Sequence, residues 1–149
     1  MAKKIFKGRP LRPGKLKGKA LVSKQAFNTS GSYITNMFGG NTKTAPCTDS
    51  SNKALYKKDL GGAIICTTQT VGSTLGGSTL MGMNDLKLGP KAMLFAWHVD
   101  SISYAGIVMD DVWNNRRIIT VDLLGDEFLE AVKTGDPIAI HEDGTVEVG

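Results

Sequence analysis

The stretch Cys66–Gly82, CTTQTVGSTLGGSTLMG, concentrates the residues of this chain that can do chemistry. An aliphatic run, GGAIIC, leads into it, and hydroxyls and glycines follow where a helix is due to begin. Gly72 permits a tight backbone turn, and Ser73 or Thr74 can cap a helix by accepting from its free N–H groups. Those N–H groups, backed by the helix dipole, also suit a carboxylate, a phosphate or an alkoxide. If the helix starts here, Gly72 and Gly76 fall one turn apart, as do Ser73 and Gly77. One face is then bare enough for another backbone or a ligand to approach. Helical glycine costs ~1 kcal/mol relative to alanine, so several in one helix require a reason. A P-loop is excluded, because no lysine precedes the Ser-Thr pair and no glycine holds the earlier position of that motif. Residue chemistry alone leaves two readings, an anion-binding corner with a working serine or a capped turn with tight packing.

Other candidates carry less. His98 lies in WHVDS, just past an apolar run, where Asp100 or Ser101 can cap the next helix. A lone histidine is more often structural than catalytic. His141 falls in a terminal hairpin, at the surface. Trp97 and Trp113 read as core or interface residues. No Ser/His/Asp elbow and no His/Glu metal cluster occurs. Cys47 and Cys66, the only cysteines, lack metal-ligand spacing, and two thiolates cannot hold zinc or an iron–sulfur cluster. A metal used in this chain's chemistry must come largely from another chain.

The elements that position these residues follow from periodicity. Ala20–Ser23, Ala63–Cys66, Ala92–Trp97 and Ile118–Val121 read as strands. Helices are expected at Thr74–Met83, around Ser101–Met109 and at Asp126–Lys133. The last has Asp126 and Glu127 in its first turn and an apolar stripe of Phe128, Leu129 and Val132. Pro137 opens a closing hairpin that turns at Glu142-Asp143-Gly144 and returns through Thr145–Val148. Residues Asn28–Lys58 are polar and irregular and read as a long surface excursion. Strands alternating with helices define one mixed α/β domain spanning all 149 residues.

Composition agrees, with 41% apolar and 21% charged residues. No apolar run is long enough to cross a bilayer. The basic N-terminus lacks the apolar segment of a signal peptide, which makes a cytoplasmic protein the plain expectation. The net charge of +4 is unevenly spread: no acid occurs from Met1 to Lys24, whereas acids dominate after Asp100. With Phe6 the one aromatic in the basic stretch, a solvated or partner-facing edge is favoured over nucleic-acid binding.

Taken together, FKGRPLRPGKLKGKALVS, the FGG at Phe38–Gly40, the GGAIIC run and VGSTLGGSTL resemble, in this order, the small-subunit or swivel-domain family of aconitase X. The resemblance covers most of the chain and is strongest at Gly8-Arg9, Ala20–Ser23 and Gly72-Ser73-Thr74. It implies a swivelling β/β/α domain with a barrel-like mixed sheet and flanking helices. It also implies a large subunit that carries an iron or iron–sulfur centre, with no cofactor bound by this chain alone. The implied activity is dehydration of a carboxylate substrate: cis-3-hydroxy-L-proline or, in archaea, a phosphorylated mevalonate. The family position of the general base falls on Ser73, with Gly72, Thr74 and Arg9 as substrate-binding candidates. Val71 stands where phosphomevalonate-type members often carry lysine, which favours a hydroxy amino acid. The competing expectation is a non-catalytic domain that binds an anion or a partner through the corner or the basic edge.

Overall fold

In the computed structural model, which describes residues 2–149, the basic N-terminal stretch is not a free edge. It forms β1 (Lys4–Lys7), β2 (Arg9–Arg12) and the longer β3 (Leu16–Val22). Within β3, Leu16, Ala20 and Val22 turn to one core while Lys17 and Lys19 face outward, the period-2 alternation of a half-buried strand. The remaining strands are β4 (Phe27–Asn28), β5 (Ile64–Thr67), β6 (Thr70–Val71), β7 (Ala92–Phe95), β8 (Ile119–Asp122), β9 (Pro137–Ile140) and β10 (Thr145–Val148). The helices are α1 (Thr29–Ser32), α2 (Ile34–Met37), α3 (Gly76–Asp85), α4 (Ser101–Asn114) and α5 (Asp126–Ala131).

Eight strands form one sheet in the order β1-β10-β9-β3-β5-β7-β8-β2. Its two edges are consecutive pieces of chain, joined at Gly8, so the sheet curls into a nearly closed barrel. Gly8 donates its N–H to the Gly144 carbonyl at 2.9 Å. A Cβ on Gly8 would lie 2.6 Å from the Asp122 carbonyl oxygen, so only glycine fits this closure. The next residue, Arg9, pairs in register with Asp122 and grips its carboxylate with two hydrogen bonds, at 2.9 and 2.8 Å. β3 joins the two halves of the barrel: its first part runs antiparallel to β9, and Ala20–Val22 runs parallel to β5.

The sheet separates two cores. Ile64, Cys66, Ala92 and Leu94 point into the barrel with Phe128 and Val146, while Ile65, Met93 and Phe95 point outward beneath the helices. α3 and α4 lie side by side on that outer face. The expected excursion over 28–58 is not a surface loop. Tyr33, Ala45, Cys47 and Leu55 are buried in the outer core. Backbone bonds between Cys47 and Lys57-Lys58, and from Leu60 to Ala45, clasp the segment on itself and pair those backbone groups. With that clasp, widely spaced apolar residues suffice to bury it.

The C-terminal ends of α3 and α4 are tied together by Asp110. Its buried carboxylate accepts from Asn84 at 2.6 Å, from Asn114 at 2.8 Å and from Arg116 at 2.7 and 3.0 Å. Burial pushes this carboxyl up, but bonds from Asn84, Arg116 and Asn114 outweigh it and hold the group below the usual carboxylate range. A depressed folded-state value contributes stability above the ordinary carboxylate pKa, and that contribution disappears as pH falls through the folded value. Asp110→Ala should therefore cost roughly 2–3 kcal/mol near neutrality, the worth of hydrogen bonds to a charged group. Urea titrations should show the deficit shrinking below about pH 4; a deficit constant from pH 7 to pH 3 contradicts this assignment.

Candidate functional site

The corner singled out in the sequence sits at the C-terminal end of the parallel strands, where open α/β sheets place their ligands. β5 leads through Thr68-Gln69 into β6, which pairs in parallel with β4, Phe27 opposite Thr70 and Asn28 opposite Val71. Gly72 then turns with φ +112°, and a Cβ there would meet Asn28 Oδ1 at 2.4 Å. Both observations require glycine. Asn28 is held in place by accepting from the Gly31 N–H at 2.9 Å, as the cap of α1.

Helix α3 begins at Gly76, two residues later than expected, so Gly72 and Ser73 precede it. Neither Ser73 nor Thr74 is its cap residue. Leu75 occupies that position and makes no side-chain cap bond. Ser73 instead closes a local turn: its Oγ accepts from the Leu75 N–H at 3.1 Å, and its carbonyl accepts from Gly76 at 3.0 Å. Val71 through Leu75 are all exposed. The helical glycines serve packing within the chain. A Cβ on Gly76 would press on Ser103 Oγ at 2.9 Å, and one on Gly106 would strike the Gly77 backbone at 2.2–2.4 Å. The bare helix face is therefore filled by α4, and the part of the corner left open is Gly72–Leu75.

A hydroxyl and carboxylate lacing fixes the corner from behind. Thr70 Oγ1 donates to Asp100, whose other oxygen caps α4 by accepting from Ile102 at 2.9 Å and Ser103 at 3.0 Å. Ser103 Oγ meets Thr29 Oγ1 at 3.2 Å, and Ser30 Oγ meets Thr79 Oγ1 at 3.3 Å. The loops before α1, α3 and α4 thus behave as one unit. Asp100 was visible in the sequence as a cap, but its bond to Thr70 was not. Asn28 was missed, although Asn before Thr-Ser-Gly is a capping pattern.

Arg9 lies at the same end of the sheet, opposite the last residue of β8. Its guanidinium is engaged with the fully buried Asp122 at the end of β8, and Asp122 also accepts from the Val99 N–H at 3.0 Å. His98 stands beside the same carboxylate, with Nδ1 2.6 Å from the Val99 carbonyl and 4.0 Å from Asp122, and its side chain is 70% exposed. His141 bonds Glu147 at the surface of the hairpin. The tryptophans are not core residues: Trp97 is 46% exposed, with its indole N–H on Asp126, and Trp113 is 71% exposed.

Among the described residues no group of three or more His, Cys, Asp or Glu is placed to hold a metal ion. Cys47 and Cys66 are both buried, and burial pushes both thiols up. These residues do not fit an iron centre. Among the described residues no helix is long and apolar enough to cross a membrane.

This barrel with its glycine–serine corner defines a class of protein. The sequence matches the aconitase X swivel domain over residues 5–148. The chain belongs to that family. It is 27% identical over 144 residues to the phosphomevalonate dehydratase small subunit of Archaeoglobus fulgidus, across 96% of this chain and 97% of that one. Its fold matches a crystal structure of Thermococcus kodakaraensis aconitase X in the holo-form, with TM-score 0.80, 23% identity and 98% of both chains covered. It also matches a solution structure of a UPF0107 protein, with TM-score 0.77 at 24% identity, over 98% of this chain and 99% of that one.

The geometry separates two adjacent positions. Gly72→Ala should lower stability by roughly 1–3 kcal/mol, because it strains the backbone and displaces Asn28 from its cap. Thr74 is exposed and makes no hydrogen bond among the described residues, so Thr74→Ala should stay within about 0.5 kcal/mol of the parent. Melting curves that rank the two variants equally contradict this account of the turn.

Proposed function

We propose that this chain is the small subunit of an aconitase X-type dehydratase, a hydro-lyase that works with a large subunit, and that Ser73 is its general base. The observation that carries this reading is the exposed Ser73 Oγ, set against the Leu75 N–H at 3.1 Å just ahead of a ten-residue helix. A serine oxygen is a useful base only as an alkoxide, and a backbone N–H with a helix N-terminus behind it stabilises that charge. The deprotonated oxygen takes the proton from the carbon beside the substrate carboxylate. Hydroxide leaves from the neighbouring carbon, a C=C bond remains, and proton and hydroxide together make up the water released. Gly72, which lets the turn form, and the exposed Thr74 beside it are the residues that meet the substrate. Arg9 acts less directly, by holding the end of β8 through Asp122.

The large subunit supplies the iron centre in this proposal and most of the substrate's ligands. A hydroxy amino acid such as cis-3-hydroxy-L-proline is the leading substrate. Val71 is exposed at the corner, and the chain carries no lysine or arginine from Asp59 to Leu86, so these residues bring no cation for a phosphate. Phosphomevalonate is the second reading, favoured by the similarity to the Archaeoglobus small subunit.

The test is turnover by the assembled complex on both substrates. Ser73→Ala should keep folding, subunit association and substrate binding, yet turn over slower by a factor on the order of 10² to 10⁴, the worth of a positioned base. Thr74→Ala should lose far less. If Ser73→Ala retains near-normal turnover, or loses it only by unfolding, the corner is a turn and the non-catalytic reading takes its place.

A further inference from the structure

Helix α4 carries two apolar stripes. One, with Ile107 at its centre, is buried on α3 and the sheet. The other faces outward through Ile102, Ala105, Met109, Val112 and Trp113, at spacings of three, four, three and one, which align on one side of a helix. These residues are far from marginal in exposure: Ile102 is 42%, Val112 67% and Trp113 71% exposed. Its first part, Ile102, Ala105 and Met109, forms one wall of a groove of about 370 Å³, with Ser78 and Met81 of α3 on the other wall and Thr74 among its lining residues; Val112 and Trp113 continue the stripe beyond the groove along α4. No lining residue is charged. The only charges of α4, Asp110 and Asp111, are bound by Arg116 and by Arg12 and Arg117. A contiguous uncharged apolar surface of this kind marks an interaction site.

We infer that the outer face of α4, from Ile102 to Trp113, together with the groove it shares with α3, is the surface on which the large subunit docks. The inference rests on the proposed function, and what selects the occupant is continuity. Thr74 follows Ser73 in the open corner and also lines the groove. A chain that brings substrate to Ser73 must cover the corner, and so meets the mouth of the groove. The partner surface should be apolar and uncharged, because the groove is lined by no charged residue and a lasting interface resembles a divided core. Leu75, next to Thr74 at the start of α3, is 57% exposed.

The experiment uses the complex of this chain with its large subunit, and reads association instead of turnover. Trp113→Glu and Val112→Lys should each weaken association by roughly 30-fold or more, as expected when an apolar anchor of an interface is lost. Ile5→Lys, on β1, should leave it within about twofold, and melting curves should show all three chains folded. Because a variant can fail for other reasons, a photo-crosslinking amino acid in place of Trp113 provides a second reading, and it should join this chain to the large subunit. Parent-like association of Trp113→Glu and Val112→Lys, or a crosslink to a second copy of this chain, would overturn the docking face while leaving the proposed function standing. No association between the two parent chains would overturn both. Loss of association in the α4 variants, with Ser73→Ala still bound, supports the face whatever the substrate proves to be.

Discussion

The contact on which the working end of this protein depends is the meeting of Gly77 and Gly106. Their backbones pass so closely that a Cβ on Gly106 would fall 2.2–2.4 Å from Gly77 atoms. This approach lets α3 and α4 lie together on the outer face of the sheet, and several consequences follow. Asp100, at the start of α4, comes within reach of Thr70, just ahead of the corner. Ser103 comes within reach of Thr29, and the loop of α1 is drawn into the same lattice. A corner held from three sides can present a hydroxyl without moving, which is what a catalytic group requires. The helix-propensity penalty of the glycines, ~1 kcal/mol each, is offset by this packing.

The barrel supplies the second constraint. Closure at Gly8 joins β1 and β2, the two edge strands of the sheet, and the Arg9–Asp122 pair fastens that closure beside the strand ends that carry Val99 and His98. The stretch from Lys3 to Lys24 that looks like a basic arm is therefore structural in its backbone, with its lysines left facing solvent. Ion pairs between Lys3 and Glu147 and between Lys7 and Asp143 show part of the acidic C-terminal half answering the basic N-terminal one. The uneven charge distribution along the chain is largely a record of which strands become neighbours.

Much of this was legible in the sequence, and the gaps have physical causes. The buried strands β5, β7 and β8 and the closing hairpin announced themselves through short apolar runs bounded by turn residues. Asp100 as the cap of α4 and Asp126 in the first turn of α5 were equally plain. β1 and β2 were hidden because their partners, β10 and β8, lie more than a hundred residues away, and alternation with lysine mimics a solvated edge. The segment 28–58 concealed its buried Tyr33, Cys47 and Leu55 because a loop held by backbone bonds has no period. At the corner, residue types revealed Gly72 and Ser73, but the register of α3 depended on where α4 packs. That packing lies outside any local window, so the cap moved to Leu75.

In the proposed reaction the Ser73 oxygen removes a proton from the carbon beside the substrate carboxylate. Exchange of that proton with solvent, followed by NMR in deuterated water, reports this step apart from loss of hydroxide. The assembled complex should catalyse the exchange, and Ser73→Ala should slow it by a factor on the order of 10² or more while still binding substrate. Exchange at the parental rate in a folded, substrate-bound Ser73→Ala complex would contradict the account and place the base on another residue.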